Sequence, residues 1–343
     1  MRALPVQNPT GRWDRTSVQF DGDEGATPNA ELLVMEDHSR SILSKNDSPD
    51  IGFNYSVNPY RGCFHGCAYC YARPGHEFLS MGAGTDFERR IVYKPKAAVL
   101  LREAFDKPSW SGELIVFSGV TDCYQPLEHK LQLTRSCLEV CAQYKNPVGI
   151  ITKAPLIERD IDVLQELARV ARVRVTISIP FATPEYAKAL EPYVTTSARR
   201  FRIIERLASA GIPVGLSVAP VICGLNDTEM PTLLQQAKDA GATHAFYVLL
   251  RLPGPVAQVF EERVKETLPL RAERILRRVR ETHGGTLYRS EFHLRQRGAG
   301  VHAEMVSKLF EQARARLGFA GDEAWSAGQV STFARPGSQM SLF

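Results

Sequence analysis

A chain of 343 residues with 44% apolar and 23% charged residues has the make-up of a folded protein, with room for about two domains or one large α/β barrel with appendages. It has no run of eighteen apolar residues, and the N-terminal Met-Arg-Ala-Leu-Pro lacks the apolar stretch of a signal peptide, so no membrane partner is expected and the implied location is the cytoplasm. The net charge of +4 indicates no partner by itself, but residues 251–316 hold fourteen Lys/Arg against eight Asp/Glu, which makes the C-terminal third the candidate surface for a polyanion.

Residues 1–50 carry five Lys/Arg against nine Asp/Glu and no persistent helical or strand period, and read as an extended, partly disordered arm whose Leu32, Leu33, Val34 and Met35 dock on the body. From Ile51 the pattern changes. Phe53–Val57 alternates like a first strand, and continuous apolar runs follow at Leu114–Phe117, Val148–Ile151, Val173–Ile179, Val214–Val218 and Ala245–Leu250. Such runs suit parallel strands buried on both faces. Amphipathic helices fill the gaps, with Phe201, Ile204, Leu207 and Ala208 sharing a face before the stop at Gly211 and Pro213. Six strands alternating with helices over 51–253 imply a parallel α/β sheet with right-handed crossovers. After Pro253 the rhythm stops. Residues 254–317 read as a helical, basic extension, with helices at 255–282 and 302–317 around a segment holding Arg289, Arg295 and Arg297. Residues 318–343 read as a flexible tail with a Gly-, Ala- and Ser-rich start.

The densest chemistry lies directly after the first strand, in Pro59-Tyr-Arg-Gly-Cys-Phe-His-Gly-Cys-Ala-Tyr-Cys-Tyr-Ala-Arg-Pro74. Cys63, Cys67 and Cys70 stand four and then three residues apart in a loop made pliable by Gly62 and Gly66. Seven cysteines, with three clustered, suit a reducing compartment and argue against a disulfide framework. Soft, anionic thiolates suit an iron–sulfur cluster, and three of them on a cubane leave one iron free for another ligand. The alternative is a structural zinc completed by His65 or His76, although zinc usually takes four protein ligands. Of the remaining cysteines, Cys137, Cys141 and Cys223 read as core, whereas Cys123, in Thr-Asp-Cys-Tyr-Gln-Pro, is either a small turn filler or, with Tyr124, a catalytic candidate whose thiol can donate a hydrogen atom.

The CxxxCxxC spacing with an aromatic before the last cysteine resembles the radical S-adenosylmethionine (SAM) superfamily. The resemblance implies a partial (β/α)6 barrel, a [4Fe–4S] cluster on Cys63, Cys67 and Cys70, and SAM on the open iron, cleaved to a 5′-deoxyadenosyl radical. It further implies that Tyr69 flanks the adenine. Where many members carry a Gly-Gly-Glu-like stretch for the SAM amino group, this chain has Ser118-Gly-Val-Thr-Asp122, so Thr121 and Asp122 are the nearest polar substitutes. Lys153 after the third strand and Arg199 or Arg200 at the next helix are candidate partners of the SAM carboxylate, and Ser178 of the ribose.

The longer strings Asn-Pro-Tyr-Arg-Gly-Cys-Phe-His-Gly-Cys-Ala-Tyr-Cys-Tyr-Ala-Arg-Pro-Gly-His-Glu, Thr-Asp-Cys-Tyr-Gln-Pro-Leu-Glu and Tyr-Val-Leu-Leu-Arg-Leu-Pro resemble a bacterial group of radical SAM proteins related to spore photoproduct lyase and described as DNA repair photolyase-like. This implies lyase-like repair of a DNA lesion, with an electron donor of flavodoxin or ferredoxin type. RNA or protein modification is the alternative within the same chemistry, and a non-catalytic, metal-stabilised binding protein the alternative outside it. The terminal Gln339-Met340-Ser341-Leu342-Phe343 is similar to the pentapeptide that binds the bacterial sliding clamp, with Met340 in place of a leucine.

Overall fold

The computed structural model describes residues 8–9, 32–320 and 330–337. Ten strands run in chain order: β1 (Leu33–Glu36), β2 (Leu43–Lys45), β3 (Tyr55–Val57), β4 (Tyr60–Arg61), β5 (Arg90–Tyr93), β6 (Ile115–Phe117), β7 (Val148–Thr152), β8 (Val173–Ser178), β9 (Val214–Val221) and β10 (His244–Leu249). Six of them form the expected parallel array, ordered β10-β9-β8-β7-β6-β3, with β2 added antiparallel to β3 at the edge. Each new strand joins beside the last, so the sheet winds in one direction with its helices outside, as a partial barrel requires. All six residues of β8 are buried, which is why its sequence, Val-Arg-Val-Thr-Ile-Ser, shows no clean polar face. The helices Ala97–Asp106, Leu133–Gln143, Ile161–Val170, Ser197–Ser209 and Met230–Asp239 press their apolar stripes onto the sheet.

Four features depart from the sequence reading. The arm is partly built into the fold: β2 pairs with β3, and β1 pairs with β5 in a three-stranded sheet ordered β1-β5-β4. Leu32, Leu33 and Val34 remain exposed, so β1 is held by its backbone ladder and not by apolar docking. The C-terminal helix is broken. Val256–Thr267 ends at Leu268, and Pro269 opens the helix Pro269–Thr282, because a proline lacks the N–H that a continuing helix needs. The helix Val301–Arg316 packs on Met230–Asp239 and buries Ala303, Val306, Phe310 and Ala313 in the barrel's core cluster, so the extension shares the barrel's core.

The fourth departure is in the tail. Phe333 stacks on Tyr144 at 6.1 Å and meets the edge of Phe105 at 5.9 Å. Ala334 N–H donates to the Tyr144 carbonyl at 2.9 Å, and Arg335 donates to the Phe105 and Lys107 carbonyls at 3.1 and 2.7 Å. Residues 330–337 therefore form a strap across the loops that enter β6 and β7, at the N-terminal end of the parallel strands. Gln339–Phe343 lie outside the described residues.

His244 opens β10 in a dry setting, with Nε2 3.2 Å from Thr176 Oγ1 and the ring pressed on the backbone of Gly215. Burial, aided by the nearby Arg174 cation, depresses its pKa to about 3. An unfolded histidine titrates near 6.5, so the folded chain binds fewer protons between those values. The associated stability is complete above pH ~6.5 and falls by up to about 1.4 kcal/mol per pH unit as pH drops toward 3. Denaturant unfolding at pH 7 and at about pH 4.5 is expected to show an acid loss smaller by about 2 kcal/mol in His244→Gln than in the parent.

Candidate functional site

The loop carrying the three cysteines starts at the C-terminal end of β3, passes through β4, and ends in a short helical segment, Arg73–Leu79. Its shape is fixed from inside. Cys63 N–H donates to the Phe87 carbonyl at 2.9 Å, and Ala68 N–H to the Leu190 carbonyl at 3.0 Å. Gly62 and Gly66 take positive φ values of 75° and 63°. A Cβ on Gly62 would lie 2.9 Å from the Arg90 carbonyl, so glycine is required there. Arg73, fully buried, donates through Nε and Nη2 to the Cys67 carbonyl and pairs with Glu88 at 2.5 Å. Tyr60 donates to Glu128 Oε2 at 2.5 Å, and Arg159 holds the other oxygen of Glu128 at 2.8 Å. These contacts set the loop's backbone before any cofactor enters.

Cys63, Cys67 and Cys70 are free thiols, close enough for the charge on one to bear on the others. Burial pushes the Cys67 and Cys70 thiols up. Burial also opposes ionisation of Cys63, but the His65 imidazole hydrogen-bonded to it holds its pKa below the ordinary thiol range. His65 lies 3.5 Å from Asp122 Oδ2, so it is engaged as a neighbour of Cys63. Among the described residues no three His, Cys, Asp or Glu side chains converge as ligands of a single metal ion would. Three soft thiolates on one loop fit an iron–sulfur cluster, which Cys63, Cys67 and Cys70 would hold, whereas zinc usually takes four protein ligands.

Around the loop the strand ends supply a connected polar set. Lys153, just past β7, sends Nζ to Ser178 Oγ at 2.7 Å, lies 3.9 Å from Glu191, and stands 5.9 Å from the centre of the Tyr69 ring. Tyr69 donates its hydroxyl to Glu191 Oε1. Arg200, also fully buried, donates to Glu191 Oε2 at 2.6 Å and to the Ser178 carbonyl at 2.7 Å. Burial alone would raise the Glu191 pKa, but Arg200 and Lys153 hold it below the ordinary carboxylate range. Asp122 accepts from Thr152 Oγ1 at 2.7 Å and from Lys153 N–H at 2.8 Å. The structure thus brings together Cys63, Cys67, Cys70, Tyr69, Asp122, Lys153 and Ser178.

Four expected residues are placed otherwise. Thr121 donates to the Gly62 carbonyl at 2.7 Å, joined there by Gln125 at 3.2 Å, so it clamps the loop. Cys123 and Tyr124 are buried in the apolar cluster with Ile115, Phe117 and Leu138, and face the core instead of the mouth of the barrel. That corrects their catalytic assignment, since a hydrogen donor must reach substrate. Arg199 pairs with Glu158 at 2.5 Å beside Arg202 and Arg206 on the outer helical layer; the inward arginine is Arg200. Glu191 was not singled out from sequence. Its partners Tyr69 and Arg200 lie 122 and 9 residues away, and no local motif joins them.

A profile of the Radical SAM superfamily matches residues 57–237. An uncharacterized protein of Mycobacterium tuberculosis is 33% identical over 264 residues, covering 71% of this chain and 78% of its own length. An uncharacterized protein of Methanocaldococcus jannaschii is 25% identical over 201 residues, covering 59% of this chain and 72% of its own length. Among solved structures, a spore photoproduct lyase mutant superposes with a TM-score of 0.62 at 15% identity, covering 87% of this chain and 85% of that one. Spore photoproduct lyase complexed with dinucleoside spore photoproduct gives 0.55 at 18% identity over 73% of each chain. At these identities the likeness is one of fold.

Proposed function

Because the chain belongs to the radical SAM superfamily, an enzyme family whose cofactors are a [4Fe–4S] cluster and SAM, we propose that it directs this chemistry at a lesion in DNA. When bound, the cluster and SAM supply a 5′-deoxyadenosyl radical able to take a hydrogen atom from a substrate. Cys63, Cys67 and Cys70 would hold the cluster. Lys153 offers a cation for the SAM carboxylate, Ser178 a hydroxyl, and Tyr69 an aromatic wall kept in place by Glu191. Arg73 and Glu88 keep the loop closed beneath them, and the apolar cluster of Phe181, Leu190, Ile222 and Leu250 behind Tyr69 excludes water.

One observation carries the DNA reading. The helix Pro269–Thr282 buries Ala272, Ile275, Leu276 and Val279 in the same cluster as Cys67, Ala68 and Tyr69, and its outer face exposes Arg271, Arg274, Arg277 and Arg280. Arg274 and Arg278 pass over Gly224 in the loop that follows β9, at the end of the sheet where the cysteines sit. Cations on that rim suit phosphate contacts. Other arginines of the extension are engaged internally, Arg289 with Glu291 and Arg295 with Asp50 and Ser48. The fold shared with spore photoproduct lyase adds support for lyase-like repair. In anaerobic assays with dithionite, lesion-bearing duplex is expected to stimulate 5′-deoxyadenosine release over undamaged duplex, with deuterium passing from the labelled lesion into 5′-deoxyadenosine. Transfer from RNA or a protein, and none from DNA, would overturn the DNA assignment.

The tail extends the proposal to a partner. Gln339–Phe343 is read as a ligand of the bacterial sliding clamp. Deleting residues 339–343 is expected to abolish clamp binding in a pull-down and leave SAM cleavage unchanged. Retained clamp binding would refute the tail proposal.

A further inference from the structure

We propose that Arg251, backed by the ring of Tyr71, holds an anionic oxygen group of the substrate, a phosphate, at the mouth of the barrel; its identity as phosphate rests on the DNA reading above. Arg251 follows β10 directly after Leu250, at the C-terminal end of the last parallel strand. Its guanidinium carbon lies 5.6 Å from the centre of the Tyr71 ring. Tyr71 is the immediate neighbour of Cys70 and is 49% exposed. Its hydroxyl donates to the Gly119 carbonyl at 2.9 Å, just beyond the end of β6. Tyr71 therefore reaches from the cysteine loop to the β6 end, and Arg251 approaches it from the β10 end.

What singles out Arg251 is its missing partner. Its Nε is buried and has no acceptor, and no carboxylate or carbonyl among the described residues pairs with the guanidinium. The other cations around the loop have oxygen partners: Arg73 has Glu88, Arg200 has Glu191, and Lys153 has Ser178 and Glu191. A buried donor left unsatisfied is costly, and the ring of Tyr71 satisfies no N–H in the guanidinium plane. A phosphate or carboxylate presents two oxygens in the geometry that this fork of donors matches. The SAM carboxylate has Lys153 as its proposed partner, in the Tyr69–Glu191 set, which leaves Arg251 for a second anion. Phosphate is favoured because the arginine-bearing helix Pro269–Thr282 lies at the same end of the sheet, and its Arg274 and Arg280 have no carboxylate partner among the described residues.

The experiment measures binding of three probes to the reconstituted protein by titration calorimetry: inorganic phosphate, the dinucleotide thymidylyl-(3′→5′)-thymidine, and SAM. Arg251→Gln is expected to weaken phosphate and dinucleotide binding about tenfold or more while the SAM affinity stays at the parent value. The neutral methylphosphonate form of the dinucleotide should bind parent and variant alike. Arg251→Lys, which keeps the charge but loses the fork, should fall between the two and guards against a glutamine variant that loses its iron or its fold. Phosphate binding that depends on Arg251, with no binding of the dinucleotide, leaves the anion site standing and sinks the DNA reading. Unchanged phosphate binding in both variants, or a loss confined to SAM, overturns the proposal.

Discussion

Replacing Cys63, Cys67 or Cys70 singly by alanine is expected to reduce both cluster iron and SAM cleavage to background. Among the described residues no fourth cysteine or histidine near the loop is left over: His65 is engaged with Cys63 and Asp122, His76 with the Arg90 carbonyl, and Cys123, Cys137, Cys141 and Cys223 are packed in the core. A cubane deprived of one thiolate would have two irons without protein ligands, open to water and to loss. The matched control is Cys141→Ala, which removes a buried thiol of the same size from the helix Leu133–Gln143 and should retain full iron. Iron and sulfide analysis after anaerobic reconstitution, together with 5′-deoxyadenosine yield, checks the prediction. Full iron retention in a Cys70→Ala protein would contradict it.

The second large effect falls on Glu191. Its carboxylate accepts from Tyr69, pairs with Arg200 and faces Lys153, all within a closed interior. Glu191→Ala leaves the fully buried Arg200 without its counter-ion, a loss in the class that costs about 3–5 kcal/mol. Glu191→Gln keeps an acceptor for Tyr69 and should cost less. Because the Glu191 pKa is held below its ordinary value of 4.5, its contribution is complete above that pH and is lost as pH falls through the depressed folded value. Denaturant titration at neutral pH reads the first effect, and a loss below about 1 kcal/mol for Glu191→Ala would show that the network is not holding the site. The same variant should weaken SAM binding, since Tyr69 and Lys153 lose their common anchor.

How much of this was legible in the sequence varies with the range of the interaction. The parallel array and the cysteine loop were readable because their signals are local: β-branched runs mark strands buried on two faces, and three cysteines in one loop mark a soft-ligand site, which the resemblance to the radical SAM superfamily turned into a cluster. The orientation of Arg199 and Arg200 was also available. Arg200 falls on the stripe of Ile203, Ile204 and Leu207, which faces the barrel, whereas Arg199 lies with Arg202 and Arg206 outside. Pro269 carried its own signal of a helix start. By contrast, the β1-β5-β4 sheet joins segments far apart in the chain, and the strap at Ser331–Arg335 is held by carbonyls of distant loops. Neither leaves a periodic trace. Cys123 looked functional because it follows a strand end, but the turn tucks it inward, with its N–H on Ser118 Oγ and its carbonyl bound by Thr134.

Anaerobic reconstitution followed by dithionite and SAM tests most directly whether Cys63, Cys67 and Cys70 hold a cluster that supports SAM cleavage. About four irons per chain, dependent on the three thiolates, are expected, with 5′-deoxyadenosine formed only in the reduced sample. A folded, iron-loaded protein that binds no SAM and releases no 5′-deoxyadenosine would contradict it.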